Sequence, residues 1–157
     1  MPEITQERWQ ELYDRAFPQV YRALVAATFD PDRALDGLHD AFEEGMRHPP
    51  SDDRNLEGWL YRVALRRTRR SLFREARETT MLERASEDPT TRTLRRLEVG
   101  ELLALLSERQ RTIIVAHYYL GLSQEEIAET LGIRRGTVSA TVSQSLARMR
   151  KGGVEHA

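Results

Sequence analysis

The chain has 157 residues, enough for one ordinary domain or two small helical ones, and no cysteine, which excludes disulfides and thiolate metal sites. A formal net charge of −1 hides segregation: residues 1–53 carry five Arg against twelve Asp and Glu, and residues 54–77 carry eight Arg against two Glu. No apolar run approaches the roughly 18–20 residues that span a bilayer, and "MPEITQERWQ" has no signal-peptide pattern, so a soluble, cytoplasmic protein is expected.

Helical periodicity runs from the start. In "RWQELYDRAFPQVYRALVAATF" the positions Trp9, Leu12, Tyr13, Ala16, Phe17, Val20, Tyr21 and Leu24 recur at three- and four-residue steps, the mark of one apolar helix face. Pro18 removes a backbone donor inside this run and predicts a break or kink. "DPDRALDGLHDAFEEGMRHPP" predicts a second helix, capped by Asp30 or Asp32 with Pro31 at its start, its stripe formed by Leu35, Leu38, Phe42 and Met46. A third helix follows "SDDRN", with Leu56, Trp59, Leu60 and Val63 inward.

"WLYRVALRRTRRSLFREAR" on that third helix is the densest charge cluster. Arg62, Arg66, Arg69, Arg70, Arg74 and Arg77 cover much of its surface, interleaved with Trp59, Tyr61 and Phe73. Cations track phosphates and aromatics stack on unpaired bases, so the block reads as a surface for nucleic acid. Trp59 falls on the apolar stripe, which leaves Tyr61 as the aromatic expected to be exposed. A solvated face on a charge-rich helix is the plainer alternative.

Residues 78–92, "ETTMLERASEDPTTR", lose the stripe and gather Thr, Ser, Asp and Pro, which predicts a linker. Order resumes at Leu94, Leu97, Leu102 and Leu105, and Ser107 caps a helix bearing Ile113, Ile114 and Tyr118. In "LSQEEIAETLGI", Ser123 and Glu126 form a capping box, and Gly132 stands where the chain must reverse. The last helix turns Val138, Val142, Ser145 and Met149 inward and leaves Gly136, Ala140, Ser143, Gln144 and Ala147 outside, a slender face suited to a major groove. Arg134, Arg135 and Arg148 stand where flanking phosphates would lie, with Thr137, Ser139, Ser143 and Gln144 within reach of base edges. A helical hairpin that merely packs is the alternative. The fold is therefore expected to be all-α: residues 1–77 and 93–157 form two small helical domains joined by 78–92.

His39, His48, His117 and His156 show no metal-ligand spacing, and no nucleophile–base pair or phosphate-cradling loop is legible. No enzyme, metal or cofactor is expected.

The segment "LSERQRTIIVAHYYLGLSQEEIAETLGIRRGTVSATVSQSLARMR" resembles region four of the sigma-70 family of transcription initiation factors. The shared patterns are "L-S-x-x-x-R" and "L-S-x-x-E-I-A-x-x-L-G-I-x-x-G-T-V" at this spacing. "ELYDRAFPQVYRAL", "DGLHDAF" and "WLYRVA" are similar to their region two, and a chain with only these regions resembles the extracytoplasmic-function group. The resemblance implies that Asp36, His39, Asp40 and Glu43 dock on the clamp helices of the polymerase β′ subunit. It implies that Tyr61, Arg62, Arg66, Arg69 and Arg70 hold the melted non-template strand, and that the last helix reads duplex promoter DNA. It also implies contact with the polymerase β flap and an anti-sigma protein as a further partner, with no membrane involved. The chain departs from the family at Ser139, Thr141 and Gln144, where basic residues are usual, and at Arg134, which replaces a serine cap. Gly37 replaces a bulky apolar residue, and Arg66 and Arg70 stand where Asn and Asp are frequent. The other functions open at this point are a dimeric helix-turn-helix regulator and a sigma-like antagonist that does not open promoters.

Overall fold

A computed structural model of the chain describes residues 5–51, 55–78 and 98–155, with the side chains of 69–78, Glu98, Val154 and Glu155 excepted. The described residues are helical, with no strand among them. Helix α1 (Gln6–Thr28) starts at Thr5, whose side chain accepts from the Arg8 amide. It runs unbroken through Pro18, against the expectation of a break. Pro18 is exposed, so the carbonyl it leaves without a donor lies on the wet side, while Ala16, Val20, Ala23 and Leu24 are buried on the other. The helix ends at Phe29, which takes a left-handed conformation (φ 54°) although it is not glycine.

Helix α2 (Pro31–Arg47) is capped by Asp30, which accepts from the Arg33 amide at 3.2 Å, with Pro31 in the first turn. Its buried line is Ala34, Leu38, Ala41, Phe42 and Gly45. Met46, expected on that stripe, is 58% exposed, and Leu35 is half-buried. The difference comes from close helix crossing at the glycines. A Cβ on Gly37 would lie 2.8 Å from Thr68 Cγ2 and 2.9 Å from the Ala64 carbonyl oxygen, and one on Gly45 would enter the Trp9 indole. The contact line therefore passes through the small residues and leaves position 46 at the rim. The Trp9 ring donates to the Phe42 carbonyl at 3.1 Å, which fixes it across α2.

Helix α3 (Leu56–Glu78) begins after Asn55, whose side chain accepts from the Gly58 amide. Leu56, Leu60 and Val63 are buried and Trp59 half-buried, close to the expected stripe. Tyr61, Ala64, Leu65 and Thr68 are buried as well, more of the circumference than one apolar face requires. The expected linker, 78–92, lies outside the described residues apart from Glu78, the last residue of α3, and so do the expected positions Leu94 and Leu97.

The C-terminal half contains α4 (Glu98–Ala104), α5 (Glu108–Tyr118), α6 (Gln124–Leu131) and α7 (Arg135–Glu155). Ser107 with Gln110, and Ser123 with Glu126, each form a capping box. Leu103 and Leu106 fill the core, whereas Leu102 and Leu105 are half-buried, Leu105 lying against Gly152 near the end of α7.

The second buried side of α3 is explained by these helices. Helix α5 packs across α1, and α6 lies against α3, so one continuous apolar core runs from Trp9 to Val142. The Tyr61 hydroxyl donates to the Thr112 carbonyl at 3.0 Å. Arg111 donates through Nε to the Ala27 carbonyl at 2.9 Å and through Nη1 to the Leu106 carbonyl at 2.6 Å, its guanidinium 4.2 Å over the Phe29 ring. It thereby supplies the cation that the last turn of α1 lacks. Arg33 pairs with Glu108 at 3.5 Å, and the Asn55 amide donates to Glu126 Oε2 at 2.7 Å.

Candidate nucleic-acid and protein interfaces

The helix-turn-helix formed by α6 and α7 is built by local chemistry. Ser123 accepts from the Glu126 amide while the Glu126 carboxylate accepts from the Ser123 amide, so the first turn of α6 is closed from both sides. The backbone hydrogen bond from Ser123 holds the Glu126 carboxyl below its ordinary value of 4.5; partial burial opposes this, and the Ser123 hydroxyl and Asn55 amide add to it. Gly132 turns the chain at φ 66°, where a Cβ would be strained, and the Ile133 amide donates back to the Ala128 carbonyl.

Along α7, Val138 and Val142 are buried, as is Ser145, and Met149 is half-buried. Gly136, Thr137, Ser139, Ala140, Ser143, Gln144 and Ala147 are exposed together on the other side. Between Arg135 and Arg148 the helix carries no ionisable side chain. Both arginines lean back onto the body: Arg135 pairs with Glu125 on α6 at 3.1 Å, and Arg148 donates to Gln110 on α5 at 3.4 Å. Arg134 is exposed just before the helix.

The arginine block of α3 is divided by the fold. Arg62 and Arg66 are exposed and line a cleft whose other wall is Glu129, Thr130 and Leu131 of α6 and Gly132 just after it. Arg67, on the side toward α2, pairs with Glu44 at 3.3 Å. The side chains of Arg69, Arg70, Phe73, Arg74 and Arg77 lie outside the described residues. Tyr61 corrects the expectation of exposure: it is wholly buried beneath α5, its hydroxyl held by the Thr112 carbonyl. A phenol tolerates burial when its hydroxyl finds an acceptor, and that acceptor lies 51 residues away in sequence.

On α2, Asp36, His39, Asp40 and Glu43 are all exposed at helical spacing, so the fold brings them together on one face. Glu43 pairs with Arg47 at 3.0 Å, and the His39 ring stacks 6.1 Å from Phe17. No three or more His, Asp or Glu side chains are placed so that they could hold a metal ion among the described residues.

Sequence reasoning missed the residues that join the two halves: Arg33, Asn55, Glu108, Arg111 and Thr112. For one of them the signal was present, because Arg111 is the arginine of the "L-S-x-x-x-R" pattern. The others carry no local mark.

Residues 96–149 match the family described as Sigma-70, region 4. The chain is 29% identical over 150 residues to ECF RNA polymerase sigma factor SigL of Mycobacterium tuberculosis, covering 88% of this chain and 85% of that protein. It is 33% identical over 129 residues to RNA polymerase sigma-E factor of Streptomyces avermitilis, covering 78% and 72%. In fold it is similar to the sigma factor RpoE solved with the anti-sigma factor NepR from Bartonella quintana, with a TM-score of 0.72 and 19% identity over 94% of this chain and 96% of that one. The likeness to CnrH, solved with the cytosolic domain of CnrY, has a TM-score of 0.69 and 21% identity over 98% and 92%.

Proposed function

We infer the function of this chain from its family: it belongs to the extracytoplasmic-function group of sigma-70 factors, transcription initiation factors that bind core RNA polymerase and direct it to promoter DNA. We assign polymerase docking to Asp36, His39, Asp40 and Glu43, since an exposed acidic helix face offers charge complementarity without occupying the core. Upstream duplex DNA is assigned to Arg134, Arg135, Thr137, Ser139, Ser143, Gln144 and Arg148. The melted strand is assigned to Arg62 and Arg66, with Arg69 and Arg70 continuing the block. Tyr61 belongs to the seam between the halves and is left out of the DNA-contacting set.

The observation that carries this reading is the orientation of α7: Val138 and Val142 are sealed inside, so the groove-sized face is turned outward, on the same chain as the acidic face of α2. The domain division follows the same logic, with residues 1–77 for docking and melting, 78–92 as linker and 93–157 for upstream recognition. A tether of that length raises the effective concentration of the second DNA contact once the first is made. One similar fold was solved with an anti-sigma factor and another with the cytosolic domain of a second protein, which supports an anti-sigma protein as a partner of this chain too. From the family we place the protein in the cytoplasm, with no catalytic role; no helix among the described residues is long and apolar enough to cross a membrane.

The test is reconstitution. Core RNA polymerase retained on the immobilised chain, followed by specific transcripts from promoter templates, is the expected result. Retention without initiation from any genomic promoter would favour an antagonist, and a homodimer on a palindromic site without polymerase binding would favour a conventional regulator.

A further inference from the structure

We propose that α7 recognises an adenine–thymine pair through Gln144, with thymine methyl groups received by Ala140 and Ala147, and that guanine is not read on this face. The inference rests on the upstream-recognition reading above and gives it a chemical content. The exposed side of α7 between Arg135 and Arg148 presents glycine, alanine, serine, threonine and one glutamine. Gln144 is the one side chain in that set long enough to project beyond the helix with both a donor and an acceptor, the pair that adenine N7 and N6 require. Ala140 lies one turn before it and Ala147 one turn after, both exposed, and a bare methyl on a helix face offers apolar contact to the thymine C5-methyl.

Guanine is most often read by a bidentate arginine or lysine. Arg134 precedes the first turn of α7, and Arg135 and Arg148 each have a partner on a neighbouring helix. Arg135 is drawn to Glu125 and Arg148 to Gln110, which places their charges at the edges of the helix, in reach of phosphates on either side of the groove. Thr141 is no substitute for a long donor, because its hydroxyl is spent on the Thr137 carbonyl within the helix.

The experiment uses holoenzyme reconstituted from core polymerase and the full chain. A duplex library randomised upstream of the melted region is selected, and the best sequence is resynthesised with single 7-deazaadenine or deoxyuridine replacements. At one adenine, loss of N7 removes one of the two hydrogen bonds and is expected to weaken wild-type binding about 2- to 13-fold, the range for a single hydrogen bond, and to leave Gln144→Ala holoenzyme unaffected. Deoxyuridine at a neighbouring thymine should weaken binding through loss of the methyl. Gln144→Arg should move the preference at that position from A·T to G·C, a gain that misfolding cannot produce. Equal sensitivity of wild type and Gln144→Ala to every 7-deazaadenine, or a selected element centred on G·C pairs, overturns the proposal while leaving the sigma function standing. A chain that retains no core polymerase overturns the parent reading and this one with it.

Discussion

Replacing Arg111 with methionine tests the seam between the two halves. The guanidinium makes charge-assisted hydrogen bonds to the carbonyls of Ala27 and Leu106 and lies over Phe29. Each such bond contributes about 1.5–3 kcal/mol and the ring contact about 0.5–2 kcal/mol. The three share one side chain whose ordering entropy is lost once, and Arg111 is only half-buried, so water re-enters to serve the freed carbonyls. The expected loss is therefore about 2–4 kcal/mol, a large part of the about 5–15 kcal/mol of a typical domain. Urea unfolding followed by circular dichroism measures it. Amide hydrogen exchange should show the loss first at the end of α1 and along α5. Arg111→Lys, a point donor that can serve one carbonyl at a time, should recover about half. A methionine variant within about 0.5 kcal/mol of wild type, with unchanged exchange at both helices, would refute the claim that this arginine closes α1 and joins it to α5.

Gly37→Ala should destabilise the protein by about 1–2 kcal/mol in the same urea assay. The helix-propensity gain of about 1 kcal/mol is outweighed because the new methyl meets the Ala64 backbone oxygen at 2.9 Å, which cannot swing aside. Asp40→Asn should leave the unfolding midpoint unchanged and weaken association with core polymerase several-fold, more at low salt than at high, as read by fluorescence anisotropy. Glu126→Gln addresses pH: a carboxyl held below 4.5 in the fold contributes stability that is present above its unfolded value and lost as pH falls through the folded one. Wild type should therefore lose stability on acidification below about pH 4.5 more steeply than the glutamine variant, and parallel acid limbs would remove Glu126 from the account.

The helix-turn-helix was legible because its determinants are local. Ser123 and Glu126 are three residues apart, Gly132 answers to its own φ, and the inward stripe of α7 needs only the helical repeat. The acidic face of α2 was legible for the same reason. What escaped was decided at long range. Tyr61 has the composition of a surface aromatic, and nothing within ten residues of it announces that the Thr112 carbonyl will lie 3.0 Å from its hydroxyl. Met46 continues a plausible stripe until Gly37 and Gly45 draw the crossing line past it. Pro18 looks disruptive in one dimension and is harmless on an exposed face. The glycine departure at position 37 is likewise intelligible only once α3 is seen against it.

The bond from Arg111 to the Ala27 carbonyl joins groups 84 residues apart, and that separation sets a clock for biosynthesis. At about 5–20 residues per second a ribosome needs about 4–17 s to pass from one to the other. Throughout that interval the nascent first helix exists without the arginine that finishes it or the helix that roofs it.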